Sequence, residues 1–399
     1  MPLCAAAREE RAAWLRLVLT PGLGAAPIRR LLETFGLPED ILAAGRARLA
    51  AVLGAPCAQA LLAGDEARET RIAEALAWAE HEAHHLVALA DEAYPPRLLG
   101  IGDPPALLFV RGDPARLSRA SLAIVGSRHA THAGLDHAQA FARALADRGL
   151  QIVSGLAQGI DAAAHRGALQ GAAGTLAVVG TGVDLVYPPA HVALADAIAR
   201  HGAIVSELPL GTQVRSANFP RRNRLIAGLS LGTLVVEAAR RSGSLITARL
   251  AAEFGREVMA IPGSIHSPLA KGCHQLIRDG AKLVESAEDV LVELRGQMAA
   301  AASDDASPAP GDTALAAADA RPVRGDTTGV PNHATPAPRP AGAGQAVLLA
   351  ALGWDPVDPD TLAARSGRPI GEVTAGLLAL ELAGAVERRP DGRYVRTGR

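Results

Sequence analysis

From Ser121 onward the chain alternates short runs that are apolar at every position with longer stretches that are apolar on one side only. The runs are SLAIVG (121–126), QIVSG (151–155), TLAVVG (175–180), AIVSE (203–207), TLVVEA (233–238) and EVMAIPG (257–263). Between most of them lie stretches with helical spacing, such as Leu135, Ala138, Ala142 and Leu145 on one face. Continuous apolar strands separated by amphipathic helices predict a mostly parallel, doubly wound sheet covered on both sides. The pattern extends to about Leu294.

On either side of this α/β core the pattern changes. Residues 1–90 read as a domain of short helices, with a Thr20-Pro21-Gly22-Leu23-Gly24 loop before a helix over 26–35. Helix, Gly-x-Gly turn, helix resembles a helix-hairpin-helix or sterile-alpha module, and an ordinary αα turn fits it equally well. A connector with Pro95, Pro96, Pro104 and Pro105 opens the second domain, 91–297. Residues 298–343 are rich in Ala, Pro, Asp and Thr without periodicity, which predicts a disordered linker. Residues 344–399 hold three short helical patterns and an Asp391-Gly392 turn between strand-like runs, which predicts a small winged helix. Its would-be recognition helix, 370–383, carries Glu372 and Glu381 but no Arg or Lys. Base reading by that helix is not expected, and a spacer or protein-docking role fits better.

Charge adds a local feature that the totals hide. The 399 residues hold 40 Lys and Arg against 41 Asp and Glu, yet 208–236 contains no acid at all. Inside that window 215–224 (RSANFPRRNR) carries Arg215, Arg221, Arg222 and Arg224. Clustered arginines raise the local concentration of a polyanion even on a neutral chain. Phe219 beside them supplies a ring for a base to stack on, next to guanidinium forks for phosphates. A solvated basic helix start remains open on this segment alone.

Several functions are excluded by what is missing. The only lysines, Lys271 and Lys282, are not followed by Ser or Thr, so there is no Walker A loop. Gly228-Leu229-Ser230-Leu231-Gly232 matches a nucleophile elbow in letters, but helix precedes it and strand follows, the reverse of the required order. Gly180-Thr181-Gly182 lacks the third glycine of a dinucleotide fingerprint. Asp161 and His165 stand at i, i+4; an acid at a helix start linked to a buried His is expected, rather than an acid–base pair. Cys4, Cys57 and Cys273 are scattered, so reduced thiols, no metal site and a cytoplasmic location are expected. No leader and no membrane span are expected.

What remains is the rim of the sheet. In doubly wound folds, ligands sit at the carboxyl ends of strands over helix N-termini. Gly126, Ser127 and Arg128 follow the first run, Ser154, Gly155 and Gly159 the second, and Ser242, Ser244 and Thr247 the fifth. With Asn218, Phe219, Arg221, Arg222, Asn223 and Arg224 they make the candidate anion-binding set.

These motifs in this order resemble the DNA-processing protein DprA (Smf) family of bacteria. The residues that carry the likeness are 123–128, 154–161 with His165, 180–184 with Tyr187-Pro188, 219–230, 242–248, 260–263 and Gly280-Ala281; His191 and His274 stand where Asn is often found. The resemblance implies an extended Rossmann fold that binds single-stranded DNA in a basic pocket and forms homodimers. It further implies delivery of incoming strands to the RecA recombinase during natural transformation, with no catalytic residues and no cofactor. The alternative is a Rossmann-type nucleotide phosphoribohydrolase: Gly232-Thr233 and Glu237 echo its spacing, but the Pro-Gly-Gly turn is missing.

Overall fold

All six apolar runs form strands of one sheet. The computed structural model describes residues 5–304 and 343–397. Its nine-stranded sheet comprises β1 (His84–Ala88), β2 (Leu107–Gly112), β3 (Ser121–Val125), β4 (Gln151–Ser154), β5 (Thr175–Val178), β6 (Ala203–Ser206), β7 (Gly232–Val235), β8 (Glu257–Ala260) and β9 (Lys282–Leu283). In space the order is β1-β2-β6-β5-β4-β3-β7-β8-β9. Every pair from β6 to β9 is parallel, whereas β2 runs antiparallel to β6 and β1 antiparallel to β2.

Alternate residues of β3 show why its run is unbroken. Leu122 and Ile124 pack with Ala138, Ala142 and Leu145 of helix His132–Asp147 on one face. Ala123 and Val125 pack with Leu225, Ile226 and Leu229 of helix Asn218–Leu229 on the other. A strand covered twice has no polar side, which is the arrangement its pattern predicts. The chain winds from β3 out through β4 and β5 to β6, then returns to lay β7 on the opposite side of β3. The winding direction reverses between β3 and β7, and a doubly wound sheet opens its binding crevice at such a reversal.

Three strands lie outside the six runs: β1, β2 and the two-residue edge strand β9. β1 falls in the stretch read as helical, and β2 in the proline-rich connector. Pro105 and Pro114 bracket β2 instead of interrupting it, so no ladder donor is lost inside the strand. Before β1 lie six helices between Ala5 and Trp78, and Trp14, Leu15, Leu17, Leu31, Ile41, Leu49 and Leu61 fill their core.

Residues 343–397 belong to a second compact unit. Helices Ala343–Leu352, Pro359–Ser366 and Ile370–Leu382 precede a hairpin of β10 (Val386–Arg388) and β11 (Tyr394–Arg396), which is a winged helix. Gly392, at φ 83°, supplies the left-handed residue of the hairpin turn. Helix Ile370–Leu382 exposes Leu378 and Leu382 and carries no basic residue. Helix Ala287–Asp304 runs past the start of the expected linker, and the rest of that segment lies outside the described residues. No helix among the described residues is long and apolar enough to cross a membrane.

Candidate functional site

The crevice predicted by the winding reversal is there: a cavity of about 650 Å³ at the carboxyl ends of β3 and β7. Gly126, Ser127 and Arg128 line it from the turn after β3. Ser242, Ser244 and Thr247 line it from the turn and helix after β7, and Phe219, Arg222 and Asn223 from helix Asn218–Leu229. The backbone holds these turns together. Ser127 donates its N–H to the Glu237 carbonyl at 2.7 Å, and its own carbonyl accepts from Ile160 N–H at 3.2 Å. Gly159 (φ 77°) lies so close to the Ser127 carbonyl that any Cβ there would collide with it. The Ser242 and Ser244 hydroxyls bond each other at 2.7 Å, and Asn223 Nδ2 donates to the Gly243 carbonyl at 3.3 Å.

Charge is divided between rim and floor. Arg128 and Arg241 are exposed. The Arg128 guanidinium lies 5.1 Å over the Phe219 ring, and the Tyr187 ring centroid stands 6.0 Å from that of Phe219. Arg222 is 5% exposed. Its Nη1 donates to the carbonyls of Gly155 and Val178, both at 2.5 Å, and its Nε has no partner. Among the described residues no carboxylate comes within ion-pairing distance of it. Burial pulls its pKa down to about 10, opposed by Asp161 and reinforced by Arg128, so it remains a cation at neutral pH. A Cβ at Gly155 would occupy the place of the guanidinium, so any larger residue there would displace Arg222.

The remaining candidates do not line the cavity. Ser154 is fully buried and donates to the Ile124 carbonyl at 2.7 Å. Gly155 and Gly159 shape the wall from behind, and Asn218 Nδ2 ties its helix to the Gly180 carbonyl at 3.1 Å. Arg221 and Arg224 turn away to a shared acid, Glu207. Arg221 Nε meets Glu207 Oε1 at 3.1 Å, and Arg224 pairs with Glu207 Oε2 and with Asp103 at 3.2 Å. The acid-free window begins one residue after Glu207, so the sequence pattern does not show that Glu207 pairs with both arginines. The reading also passed over Arg241, although Arg240 and Arg241 directly precede the Ser242 turn.

Asp161 and His165 are not linked to each other as expected. His165 Nδ1–H donates to Thr175 Oγ1 at 2.7 Å, whose proton goes to the Ile152 carbonyl. Asp161 instead faces the cavity. Nearby, Leu156 takes a left-handed backbone (φ 59°), and its carbonyl accepts from His191 Nδ1–H at 3.0 Å. Burial drives the His165 pKa down to about 3, with His191 and Arg222 adding to the effect. An unfolded His titrates near 6.5, so this contribution to stability is intact above that pH and is lost as pH falls toward 3. We expect His165→Gln to remove about 1.4 kcal/mol per pH unit from the acid slope below pH 6.5. Urea midpoints at pH 7 and pH 5 check this, and identical slopes for parent and variant would refute a buried neutral His165.

Glu237 lies at the end of β7 and does not line the cavity. Its carboxylate accepts from Thr131 N–H at 2.9 Å and Thr131 Oγ1 at 2.6 Å, at the start of helix His132–Asp147. No group of three or more His, Cys, Asp or Glu side chains able to hold a metal occurs among the described residues.

The model of DNA recombination-mediator protein A matches residues 85–295, and that of the DprA winged helix domain matches 332–392. Protein Smf of Escherichia coli K12 is 43% identical over 333 residues, 82% of this chain and 81% of that protein. The chain belongs to the DprA/Smf family. DNA processing protein DprA of Streptococcus pneumoniae is 48% identical over 206 residues, 52% of this chain and 73% of that protein. An X-ray structure of DprA from Streptococcus pneumoniae superposes with a TM-score of 0.62 at 39% identity, covering 69% of this chain and 95% of that one. The family model thus spans both the sheet and the cavity.

Proposed function

We propose that this chain binds single-stranded DNA in the β3/β7 cavity, shields incoming strands and loads the RecA recombinase on them during natural transformation. It acts as a cytoplasmic homodimer and catalyses no reaction of its own. The observation that carries the binding step is Arg222, a buried cation with no ion-paired carboxylate that keeps the cavity positive and leaves acceptors to be supplied by the ligand. Arg128 and Arg241 at the rim suit phosphates, and the Phe219 ring beside Arg128 suits an unstacked base. A duplex keeps its bases stacked inside, whereas a single strand presents them. Transfer to a recombinase, transformation and dimer formation draw their support from the family's name and likeness, not from the cavity. Against the phosphoribohydrolase alternative stands Glu237, whose carboxylate is engaged by Thr131 away from the cavity.

The test is an anisotropy titration with single-stranded and duplex DNA of equal length, repeated for Phe219→Ala. The single strand should bind tighter. The variant should lose about 1–3 kcal/mol of that affinity, with little difference among bases. Equal affinity for duplex, or a variant that melts early and binds normally, would defeat the stacking reading. Release of free adenine from AMP would favour the enzyme.

A further inference from the structure

Helix His132–Asp147 does not complete its own N-terminus. Thr131 is its cap, and the Thr131 hydroxyl accepts from Gly134 N–H at 3.0 Å. In a capping box the third helical residue is Glu or Gln, whose side chain reaches back to the N–H of the cap. Here that residue is Gly134, and the carboxylate on the Thr131 N–H comes from Glu237, just past β7. The Glu237 carboxyl group fills the place of the missing side chain, since a Cβ on Gly134 would lie 2.4–2.8 Å from its atoms. We infer that Glu237 is the positioning residue for Arg128, tying the turn that carries this arginine to the strand on the other side of the winding reversal. This rests on the single-strand reading above, in which Arg128 meets a phosphate, and adds the residue that sets it in place.

Glu237 holds the turn on both sides of Arg128. Before it, the Glu237 carbonyl accepts from Ser127 N–H at 2.7 Å. After it, the Glu237 carboxylate accepts from Thr131 N–H at 2.9 Å and from Thr131 Oγ1 at 2.6 Å. Among the described residues Arg128 has no ion-pair partner, and its guanidinium rests over the Phe219 ring. Arg222 on the floor carries the same charge, and the two oppose each other. On a free turn that repulsion favours an outward Arg128, so its place at the cavity depends on the backbone that Glu237 fixes. A glutamate at position 134 would cap the helix as well, but it would leave the turn untied to β7. Helix capping and positioning are therefore separable.

The experiment uses the full chain and oligo-dT. Glu237→Ala keeps the backbone bond to Ser127 and releases the Thr131 end. It should weaken binding about tenfold, the loss typical of a hydrogen bond to a charged group. The salt dependence of log affinity should fall by roughly 0.7, the share of one phosphate contact. Added to Arg128→Ala, Glu237→Ala should weaken binding no further. Adding Gly134→Glu to Glu237→Ala returns an acid to the Thr131 N–H from within the helix. The urea midpoint should then recover, while affinity and salt dependence should stay at the values of Glu237→Ala. Should Glu237→Ala alone not fold, the comparison of this double variant with the parent decides. Affinity that recovers together with the midpoint would overturn the inference, and so would a further loss in the Arg128→Ala background. Failure of oligo-dT to bind the parent chain would instead overturn the single-strand reading and this inference with it.

Discussion

Arg222→Met should leave the sheet assembled and remove most of the affinity for single-stranded DNA. Methionine fills a similar volume, and the substitution relieves the folded chain of an unpaired buried charge, which is costly to hold away from water. The carbonyls of Gly155 and Val178 lose their donor, which costs about 1–3 kcal/mol for each group left without a partner. Binding loses more. The floor is left with Asp161 and no cation, so only the rim arginines Arg128 and Arg241 still favour an anionic ligand. Truncating a buried, hydrogen-bonded charge in an interface costs about 2–5 kcal/mol. Circular dichroism paired with a binding titration separates the two effects. A folded Arg222→Met chain that binds like its parent would remove this arginine from the site.

Arg224→Ala should do the reverse. Its side chain is 8% exposed and that of Glu207 5%, and removing the arginine leaves Glu207 buried with Arg221 as its remaining ion-pair partner. Burial already raises the Glu207 pKa, and Arg224 is the strongest influence opposing it. Breaking a buried pair from one side costs about 3–5 kcal/mol. Affinity per folded molecule should stay close to that of the parent. Adding Glu207→Gln removes the stranded charge and should recover part of the stability, which urea melts of the single and double variants measure. A variant that melts like its parent but no longer binds would return Arg224 to the binding surface.

The contrast between these neighbouring arginines shows how far the sequence reaches. The six strands from β3 to β8 were legible because burial on both faces leaves runs with no polar position, which a single window can detect. β1 and β2 were not, since each is stabilised by antiparallel neighbours that no local pattern names, and β2 sits among prolines that read as connector. In the site, the turns after β3 and β7 were legible as small residues at strand ends, and the structure brings Ser127, Arg128, Ser242 and Ser244 to one cavity. The arginine cluster was legible as charge but not as direction. Two positions apart on a helix, Arg222 and Arg224 point to different surroundings, and Glu207, which claims Arg224, lies just outside the window that defined the cluster. Asp161 was visible as an acid near a helix start, but that it lines one cavity with Arg222 depends on the winding of the whole sheet.

That winding has a consequence for how the protein responds to its ligand. The cavity walls come from the turns after β3, β4 and β7 and from a helix inserted between β6 and β7, so no single strand–helix unit contains the site. It exists only once the reversal has been completed and β7 lies beside β3. An oligonucleotide held there engages the native sheet and has no counterpart in the unfolded chain. Ligand at a hundred times its dissociation constant therefore adds about 2.7 kcal/mol to the stability of the assembled unit. Occupancy and cooperative folding of this unit are thermodynamically linked, and loosening any one of these turns weakens both.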